Sequence, residues 1–328
     1  MKYVILGQNG PEVSNVGLGC MGMSEFYGET DDRKSKEVIL RALENGVTML
    51  DTADTYGDGH NEILISEVLK EWGKDVFIAT KFGIVRKPGS YERKICGKPE
   101  YVREAVEKSL KRLDIETIGL YYVHRIDITV PIEDTIGAMS DLVKEGKINY
   151  IGLSEPSVET VLKAHAVHPI TCIQSEYSLF TREVEDQLLP ILRKNGIGFV
   201  PYSPLGRGML TGKLTKESMD NDNDLRKNLP RTSGESYNAN MALVNSLKEV
   251  SDSKNITLSQ LALAWVLSKG DDIVPIPGTR NINYLIDNIN STTVNLEDDE
   301  IKRIESIISK GTVMGERYTV EGMKGLNC

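Results

Sequence analysis

The feature that most constrains the fold is an alternation of short apolar segments with longer amphipathic segments, repeated along most of the chain. Short apolar runs are typical of buried strands, and an apolar residue at every third or fourth position predicts a helix. Eight strand–helix units in succession predict an α/β fold of the (β/α)8 TIM barrel type. After the first strand, strands are predicted at 47–51, 76–81, 117–123, 148–153, 172–175, 198–200 and 273–276.

Additional elements are predicted at both ends of this barrel, within a single domain over residues 1–328. Segments 2–5 and 13–18 flank a glycine- and proline-rich turn, a pattern typical of a β-hairpin. Long loops are predicted at 84–98 and 205–237. The alternative architecture is a doubly wound sheet, which would normally have a helix directly after its first strand. Helices are predicted at 32–45, 62–70, 99–113, 132–144, 158–165, 183–194, 239–252, 258–268, 281–288 and 298–309, so extra helices follow the last strand.

Composition argues against several classes of partner. The net charge of -9 argues against a nucleic-acid or anionic-membrane surface, because both require clustered lysine and arginine. No apolar run approaches the roughly 20 residues that a membrane helix needs. We therefore expect binding to neither nucleic acid nor membranes.

The four cysteines are widely scattered, and no two of them have the spacing of a metal site or a redox motif. Reduced thiols without a metal, in a cytoplasmic protein, are the expected state. The cysteines are Cys20, Cys96, Cys172 and Cys328.

Gly17, Gly19 and Gly22 have the spacing of the dinucleotide-binding fingerprint of a Rossmann fold. That fingerprint requires a helix to open at its third glycine. Here the next helix is predicted only from about Asp32, so these glycines are interpreted as a strand end followed by a tight loop.

Polar side chains follow nearly every predicted strand. In a (β/α)8 barrel the active site forms at the carboxyl ends of the strands, so we expect these side chains to converge. One polar residue after a strand is merely the start of a loop, whereas such a series indicates a site. The strand ends carry Met21 and Gly22, Asp51, Lys81, His124, Ser154, Gln174, Tyr202 and the run Gly278 to Arg280.

Asp51, Tyr56 and Lys81 are predicted to meet at one edge of two successive strands. Tyrosine is a weak acid with an ordinary pKa of about 10, and a neighbouring cation favours its phenolate. The carboxylate of Asp51 would keep Lys81 charged and in place. The simpler alternative for each residue alone is a surface turn, a strand-end lysine or a helix cap.

Two loops on adjacent strands suit phosphate groups. Residues 202–212 combine closely spaced glycines with a serine, so that the backbone can approach a phosphate. Residues 276–280 lead into a helix, whose N-terminus attracts anions, and Arg280 adds a planar fork of donors. The alternative for the second loop is a proline–glycine turn with a surface arginine. Together the two loops predict a dinucleotide.

Asp51, Tyr56, Lys81 and His124 resemble the catalytic tetrad of the aldo-keto reductase superfamily, and the resemblance runs almost the whole length of the chain. Further motifs resemble a subgroup typified by pyridoxal reductase and perakine reductase. They are Gly19-Cys20-Met21-Gly22-Met23-Ser24, Tyr122-x-His124-Arg125-x-Asp127, Ile151-Gly152-Leu153-Ser154-Glu155, Gln174-x-Glu176-Tyr177-Ser178, Ser203-Pro204-Leu205-Gly206-Arg207-Gly208 and Gly315-Glu316-Arg317-Tyr318.

The resemblance implies a role for each matching residue. Tyr56 would be the general acid, Lys81 would lower its pKa, Asp51 would hold Lys81, and His124 would orient the carbonyl or relay the proton. The implied cofactor is NADPH/NADP+, with Arg280 at the adenosine phosphate. Its implied contacts are Gly22, Met23, Asp51, Ser154, Gln174, Tyr202, Ser203, Pro204, Leu205, Gly206, Gly208, Pro277, Gly278, Thr279, Arg280 and Asn288.

The resulting hypothesis is an NADPH-dependent reductase that converts a small-molecule aldehyde or ketone to an alcohol. One alternative is a regulatory subunit that binds NADPH and has only incidental turnover, as in some members of the superfamily. Another is an aldolase that forms a Schiff base on Lys81. The particular substrate, the oligomeric state and the conformation of the long loops are not predicted.

Overall fold

The strands of the barrel come from segments that are apolar on both faces, as expected for a parallel sheet covered by helices. The computed structural model describes residues 1–86, 93–323 and 325–327. The strands are β1 (Tyr3–Ile5), β2 (Glu12–Ser14), β3 (Leu18–Gly19), β4 (Met49–Asp51), β5 (Phe77–Phe82), β6 (Ile84–Arg86), β7 (Arg93–Ile95), β8 (Ile118–Val123), β9 (Ile148–Ser154), β10 (Cys172–Glu176) and β11 (Gly198–Tyr202).

The helices alternate with these strands and form the outer layer. Two of them, α11 and α12, follow the barrel; α11 corresponds to the helix predicted at 298–309, whereas the short α12 was not predicted. The α-helices are α1 (Asp32–Glu44), α2 (His60–Trp72), α3 (Pro99–Leu113), α4 (Ile132–Lys144), α5 (Val158–Val167), α6 (Leu188–Lys194), α7 (Gly234–Ser246), α8 (Lys248–Ser253), α9 (Leu258–Leu267), α10 (Ile282–Asn290), α11 (Asp298–Ile307) and α12 (Val320–Met323). In the described part of the chain, no helix combines the length and apolarity needed to cross a membrane.

Seven parallel strands form one sheet in the order β3-β4-β5-β8-β9-β10-β11, so neighbours in the barrel follow one another along the chain. The antiparallel pair β1 and β2 forms the predicted N-terminal hairpin. Its Leu6 and Val13 pack with Met49, Leu120 and other buried side chains in the inner core cluster. The predicted (β/α)8 fold is confirmed, and the hairpin contributes to the core inside the sheet.

The predicted eighth strand, 273–276, closes the barrel without forming a regular strand. It makes one isolated parallel bridge, to Phe199 of β11. On its other side, the N–H of Gly17 donates to the carbonyl of Pro275 at 2.9 Å. In a parallel ladder residue 277 would return a hydrogen bond to Gly17, but Pro277 has no N–H. Proline therefore interrupts the ladder at the point where the barrel closes.

Two other predicted segments differ from the structure. The loop predicted at 84–98 contains an antiparallel hairpin of β6 and β7, and residues 87–92 lie outside the described part. The helix predicted at 183–194 is a 3-10 turn, Glu183–Glu185, followed by α6. Pro190 explains the break, because a continuous helix would require its missing N–H.

The helix predicted at 239–252 is also divided. It begins earlier than predicted, at Gly234, and Leu247 separates α7 from α8. Part of the loop predicted at 205–237 is therefore helical. The remainder includes four 3-10 turns, Gly206–Thr211, Glu217–Met219, Leu225–Asn228 and Pro230–Thr232.

Candidate active site

The end of β4 and the end of β5 place a buried ion pair beside a tyrosine. The ammonium nitrogen of Lys81 lies 2.5 Å from a carboxylate oxygen of Asp51, 2.7 Å from the carbonyl of Thr52 and 3.2 Å from the hydroxyl of Tyr56. Lys81 is fully buried and Asp51 is buried. Burial is the largest single effect and disfavours the charged ammonium, but the charges and hydrogen bonds of Asp51 and Tyr56 together outweigh it and raise the pKa of Lys81.

Tyr56 remains a phenol at neutral pH. Burial, the largest effect, raises its pKa to about 12, and Asp51 acts in the same direction. Lys81 opposes the shift through its charge and its hydrogen bond. Lys81 therefore lowers the pKa of Tyr56, as predicted, but the larger effect of burial makes the net shift upward. The group is accordingly suited to donate a proton rather than to accept one.

An arginine holds the turn that carries Tyr56. Arg86, at the end of β6, donates from Nε to the hydroxyl of Thr55 at 2.6 Å. Its Nη2 also donates to a carboxylate oxygen of Glu25 at 2.8 Å. The loops after β3 and β4 and the β6–β7 hairpin are tied together by this one side chain. The rings of His124 and Tyr56 lie nearly perpendicular to each other, with 5.8 Å between ring centroids and an angle of 84° between planes.

Ser154 and Gln174 are paired in the register of β9 and β10, so their side chains lie at the same level of the barrel. The amide of Gln174 donates to the second carboxylate oxygen of Asp51 at 2.7 Å. The hydroxyl of Ser154 accepts a hydrogen bond from Arg125 at 3.1 Å. Asp51 is therefore hydrogen-bonded on both oxygens, by Lys81 and by Gln174.

These side chains open into a cavity of about 1290 Å³ at the carboxyl end of the barrel. The structure brings every predicted site residue to its wall except Lys81 and Gly206. Lys81 lies beneath Asp51 and Tyr56. A Cβ atom on Gly206 would point toward Phe180 and Leu210, away from the cavity.

The loop after β11 approaches the cavity with its backbone. Ser203 and Arg207 both have positive φ, 49° and 57°, as does Gly208 at 97°. Positive φ is unfavourable for residues with a Cβ, so the surrounding contacts must hold this shape. Arg207 is held by an ion pair with Glu176 at 2.8 Å and lies 4.2 Å from the ring centre of Tyr318.

The N-terminus of α10 differs from the predicted anion site. The side chain of Asn281 accepts hydrogen bonds from the N–H groups of Asn283 and Tyr284, at 2.9 and 3.2 Å. These donors are therefore occupied by a helix cap. The guanidinium of Arg280 donates to the carbonyls of Glu29 and of Tyr27, the latter at 2.5 Å. It bridges the last loop of the barrel to the first.

Several residues that line the cavity are not predicted by the sequence patterns. Phe26 has a φ of 74° and lines the cavity, and Arg226 lies 4.9 Å from the ring centre of Tyr27. Lys213 lies 4.5 Å from the ring centre of Tyr284. No motif marks these side chains, because their contacts join loops that are distant in sequence. The charged and asparagine-rich composition of 213–237 also conceals which of its side chains face the cavity.

Comparisons with known proteins agree with this geometry. The Aldo/keto reductase family model matches residues 15–309. A protein described as probable aldo-keto reductase 1 from Glycine max is 45% identical over 320 residues, covering 97% of this chain and 92% of that protein.

Solved structures share the fold along most of the chain. Glycerol dehydrogenase AKR11B4 from Gluconobacter oxydans has a TM-score of 0.85 and 28% identity, covering 94% of this chain and 95% of the other. The holo form of aldo-keto reductase AKR11C1 from Bacillus halodurans has a TM-score of 0.79 and 29% identity, covering 94% and 97% respectively.

Proposed function

Since the chain belongs to the aldo/keto reductase family, and is thus an oxidoreductase, we propose that it reduces aldehydes or ketones to alcohols with NADPH. Tyr56 is the proposed general acid. The observation that carries this proposal is the contact of 3.2 Å between the hydroxyl of Tyr56 and the buried ammonium of Lys81. It places a protonated phenol at the cavity wall with a cation behind it.

In the proposed mechanism, a nicotinamide held in the cavity would supply the hydride to the carbonyl carbon. Tyr56 donates its proton to the carbonyl oxygen as negative charge develops there. Lys81 stabilises the phenolate that remains, and Asp51 together with the carbonyl of Thr52 holds the ammonium in position. His124, whose ring lies 5.8 Å from that of Tyr56, is proposed to orient the carbonyl oxygen.

The cavity wall fits a dinucleotide in two respects. The loop from Ser203 to Gly208 turns its backbone through positive φ values, which suits close approach of a diphosphate. Lys213, Arg226 and Arg280 add cationic side chains to the cavity wall. A phosphate monoester on the adenosine favours such cations, so NADPH is proposed over NADH.

The Schiff-base alternative is disfavoured by the same geometry. Lys81 is fully buried, does not line the cavity and is paired with Asp51. A Schiff-base lysine must be neutral to attack a carbonyl. Burial lowers the pKa of Lys81, but Asp51 and Tyr56 together raise it above its usual value.

Three finer assignments are also proposed. On the motif resemblance, we propose that the chain is related to the pyridoxal reductase and perakine reductase subgroup and forms one domain over residues 1–328. A cytoplasmic setting is proposed because Cys20, Cys96 and Cys172 are free thiols in the structure.

The proposal is tested by following NADPH oxidation against a panel of aromatic and aliphatic aldehydes. Tyr56→Phe is expected to lose about 10²–10⁴ in kcat, the usual contribution of a placed acid, while still binding NADPH. Equal turnover in this variant would remove Tyr56 from the role. Tight NADPH binding by the wild type, without turnover of any carbonyl, would favour the regulatory subunit instead.

Cofactor preference is measured in the same assay with Arg280→Met. This variant is expected to weaken NADPH binding more than NADH binding, because only NADPH carries the additional phosphate. If NADPH and NADH binding were weakened equally, Arg280 would have only a structural role through its hydrogen bonds to the carbonyls of Tyr27 and Glu29.

A further inference from the structure

Arg125 is a buried cation that has no carboxylate oxygen within 4.0 Å of its guanidinium nitrogens among the described residues. It follows His124 at the end of β8, lines the cavity and is only 7% exposed. Its Nη1 donates to the carbonyl of His124 at 2.7 Å and to the hydroxyl of Ser154 at 3.1 Å. Both acceptors are neutral. Its Nε is buried and has no hydrogen-bond partner in the described part of the chain.

Unlike Arg125, the neighbouring arginines form ion pairs with carboxylates. Glu176 lies 2.8 Å from Arg207 and 3.5 Å from Arg231. Glu155 lies 3.2 Å from Arg317 and also accepts the backbone N–H of Glu176. Both carboxylates are thus occupied. The cluster as a whole contains two carboxylates, Glu155 and Glu176, and four guanidinium groups, Arg125, Arg207, Arg231 and Arg317.

The position of Arg125 relates it to the reacting groups. Its charge opposes burial in setting the pKa of Tyr56. The groups that act electrostatically on Arg125 are Tyr202, Tyr318, Glu155 and Tyr56, and the one carboxylate among them, Glu155, is already paired with Arg317. Tyr202 and Tyr318 are joined to each other by a hydrogen bond of 2.9 Å. Arg125 therefore lies on the side of the cavity where the carbonyl would meet Tyr56.

A buried guanidinium cannot neutralise itself, because arginine stays protonated at any physiological pH. Leaving a buried charge unpaired is strongly unfavourable, and such costs are concentrated at functional sites. An incoming anion would supply the missing partner. The nicotinamide carboxamide is neutral and would leave the charge uncompensated, and the diphosphate is expected at the loop from Ser203 to Gly208.

We propose that Arg125 is a substrate-binding residue that selects carbonyl compounds carrying an anionic oxygen group, a carboxylate or a phenolate, near the reacting carbonyl. The planar fork of the guanidinium suits such oxygens. The inference rests on the proposed reductase function and specifies the substrate class of that same cavity.

The test compares 2-, 3- and 4-carboxybenzaldehyde with their methyl esters, which keep the aldehyde and remove the charge. For the wild type, at least one acid is expected to have a KM about 10-fold or more below that of its ester. Arg125→Met is expected to raise that KM by about 10- to 100-fold, the usual effect of losing a charged hydrogen bond. The KM of the ester and the Kd of NADPH should change less than about 3-fold.

Two variants serve as controls. Arg125→Lys retains the charge and should recover part of the affinity for the acid. Arg41→Met removes an exposed arginine of α1 that pairs with Glu44, and it should leave every constant unchanged.

The proposal is overturned if every ester is reduced as well as its acid by the wild type, a comparison that needs no variant. It is also overturned if Arg125→Met impairs acid and ester equally or weakens NADPH binding, since Arg125 would then position the cofactor or the active site. Failure of the reductase function itself would appear separately, as undiminished turnover in Tyr56→Phe.

Discussion

At the scale of single residues, the protonation state of Tyr56 depends on which of two opposing effects on its pKa is larger. The ammonium of Lys81, 3.2 Å away, stabilises the phenolate, but burial of the ring and hydroxyl outweighs it. The phenol therefore stays protonated, and Lys81 acts chiefly on the anion formed after proton transfer. This division of roles suits an acid that must give up its proton only to a reacting carbonyl.

The raised pKa predicts how carbonyl reduction depends on pH. Reduction requires protonated Tyr56, and a pKa of about 12 keeps it protonated well above the ordinary tyrosine value. We expect kcat for NADPH oxidation to stay level between about pH 6 and pH 10 and to fall only above that range. A fall centred below about pH 9, absent from the residual activity of Tyr56→Phe, would show that Lys81 dominates instead.

At the scale of elements, the two ends of the barrel sheet are joined by close contact between their backbones instead of a complete hydrogen-bonded ladder. A Cβ atom on Gly19 would lie 2.7 Å from the carbonyl oxygen of Ile276, and one on Gly278 would lie 2.8 Å from the carbonyl oxygen of Gly19. Neither glycine has positive φ, so close approach is what requires glycine here. The contact positions the loop that carries Thr279 and Arg280 over the cavity.

Gly19→Ala is expected to lower the free energy of unfolding by about 1–3 kcal/mol, the usual cost of inserting a methyl group where the neighbours cannot move freely. Urea unfolding at equilibrium measures the change. Gly137→Ala is the matched control, because Gly137 lies in α4 with no atom within 4 Å of the added carbon. It should raise stability by about 0.5–1 kcal/mol. Equal effects at both positions would contradict the close-contact explanation.

At the scale of the whole molecule, the C-terminal segment (described residues 311–323 and 325–327) crosses the mouth of the barrel. It contacts elements from several parts of the chain. The side chain of Asn240 accepts from the backbone of Met314 at 2.8 Å. Arg317 pairs with the buried Glu155 at 3.2 Å. Near the end, the side chain of Asn327 accepts from the N–H of Ser157 at 3.0 Å. The segment thus covers the side of the cavity nearest Tyr202.

Arg317→Met is expected to release this segment, because it leaves Glu155 buried without its cation, a change that usually costs about 3–5 kcal/mol. Limited proteolysis should cleave within 311–327 faster, and the KM for carbonyl substrates should rise. Lys302→Met is the control, since Lys302 and its partner Asp299 are both exposed at 3.5 Å, and such pairs contribute little. Unchanged proteolysis in Arg317→Met would show that other contacts hold the segment.

Local sequence patterns predict the order and type of most elements and the strand ends that face the site. Apolar periodicity depends only on neighbouring residues, so α3 and α4 were predicted with the bounds that the structure has, Pro99–Leu113 and Ile132–Lys144. Parallel strands align their carboxyl ends, so Asp51, Lys81 and Gln174 were predicted to converge before any distance was known.

Protonation states and charge pairing depend on all the groups around a side chain, so they follow from the three-dimensional arrangement. Burial reversed the expected net shift at Tyr56, and the cap by Asn281 occupied donors that were predicted to bind an anion. The unpaired charge of Arg125 became visible only once Glu155 and Glu176 were found with other partners. Desolvation and charge pairing at one side chain depend on residues that are far apart in the chain, so a local sequence pattern cannot predict them.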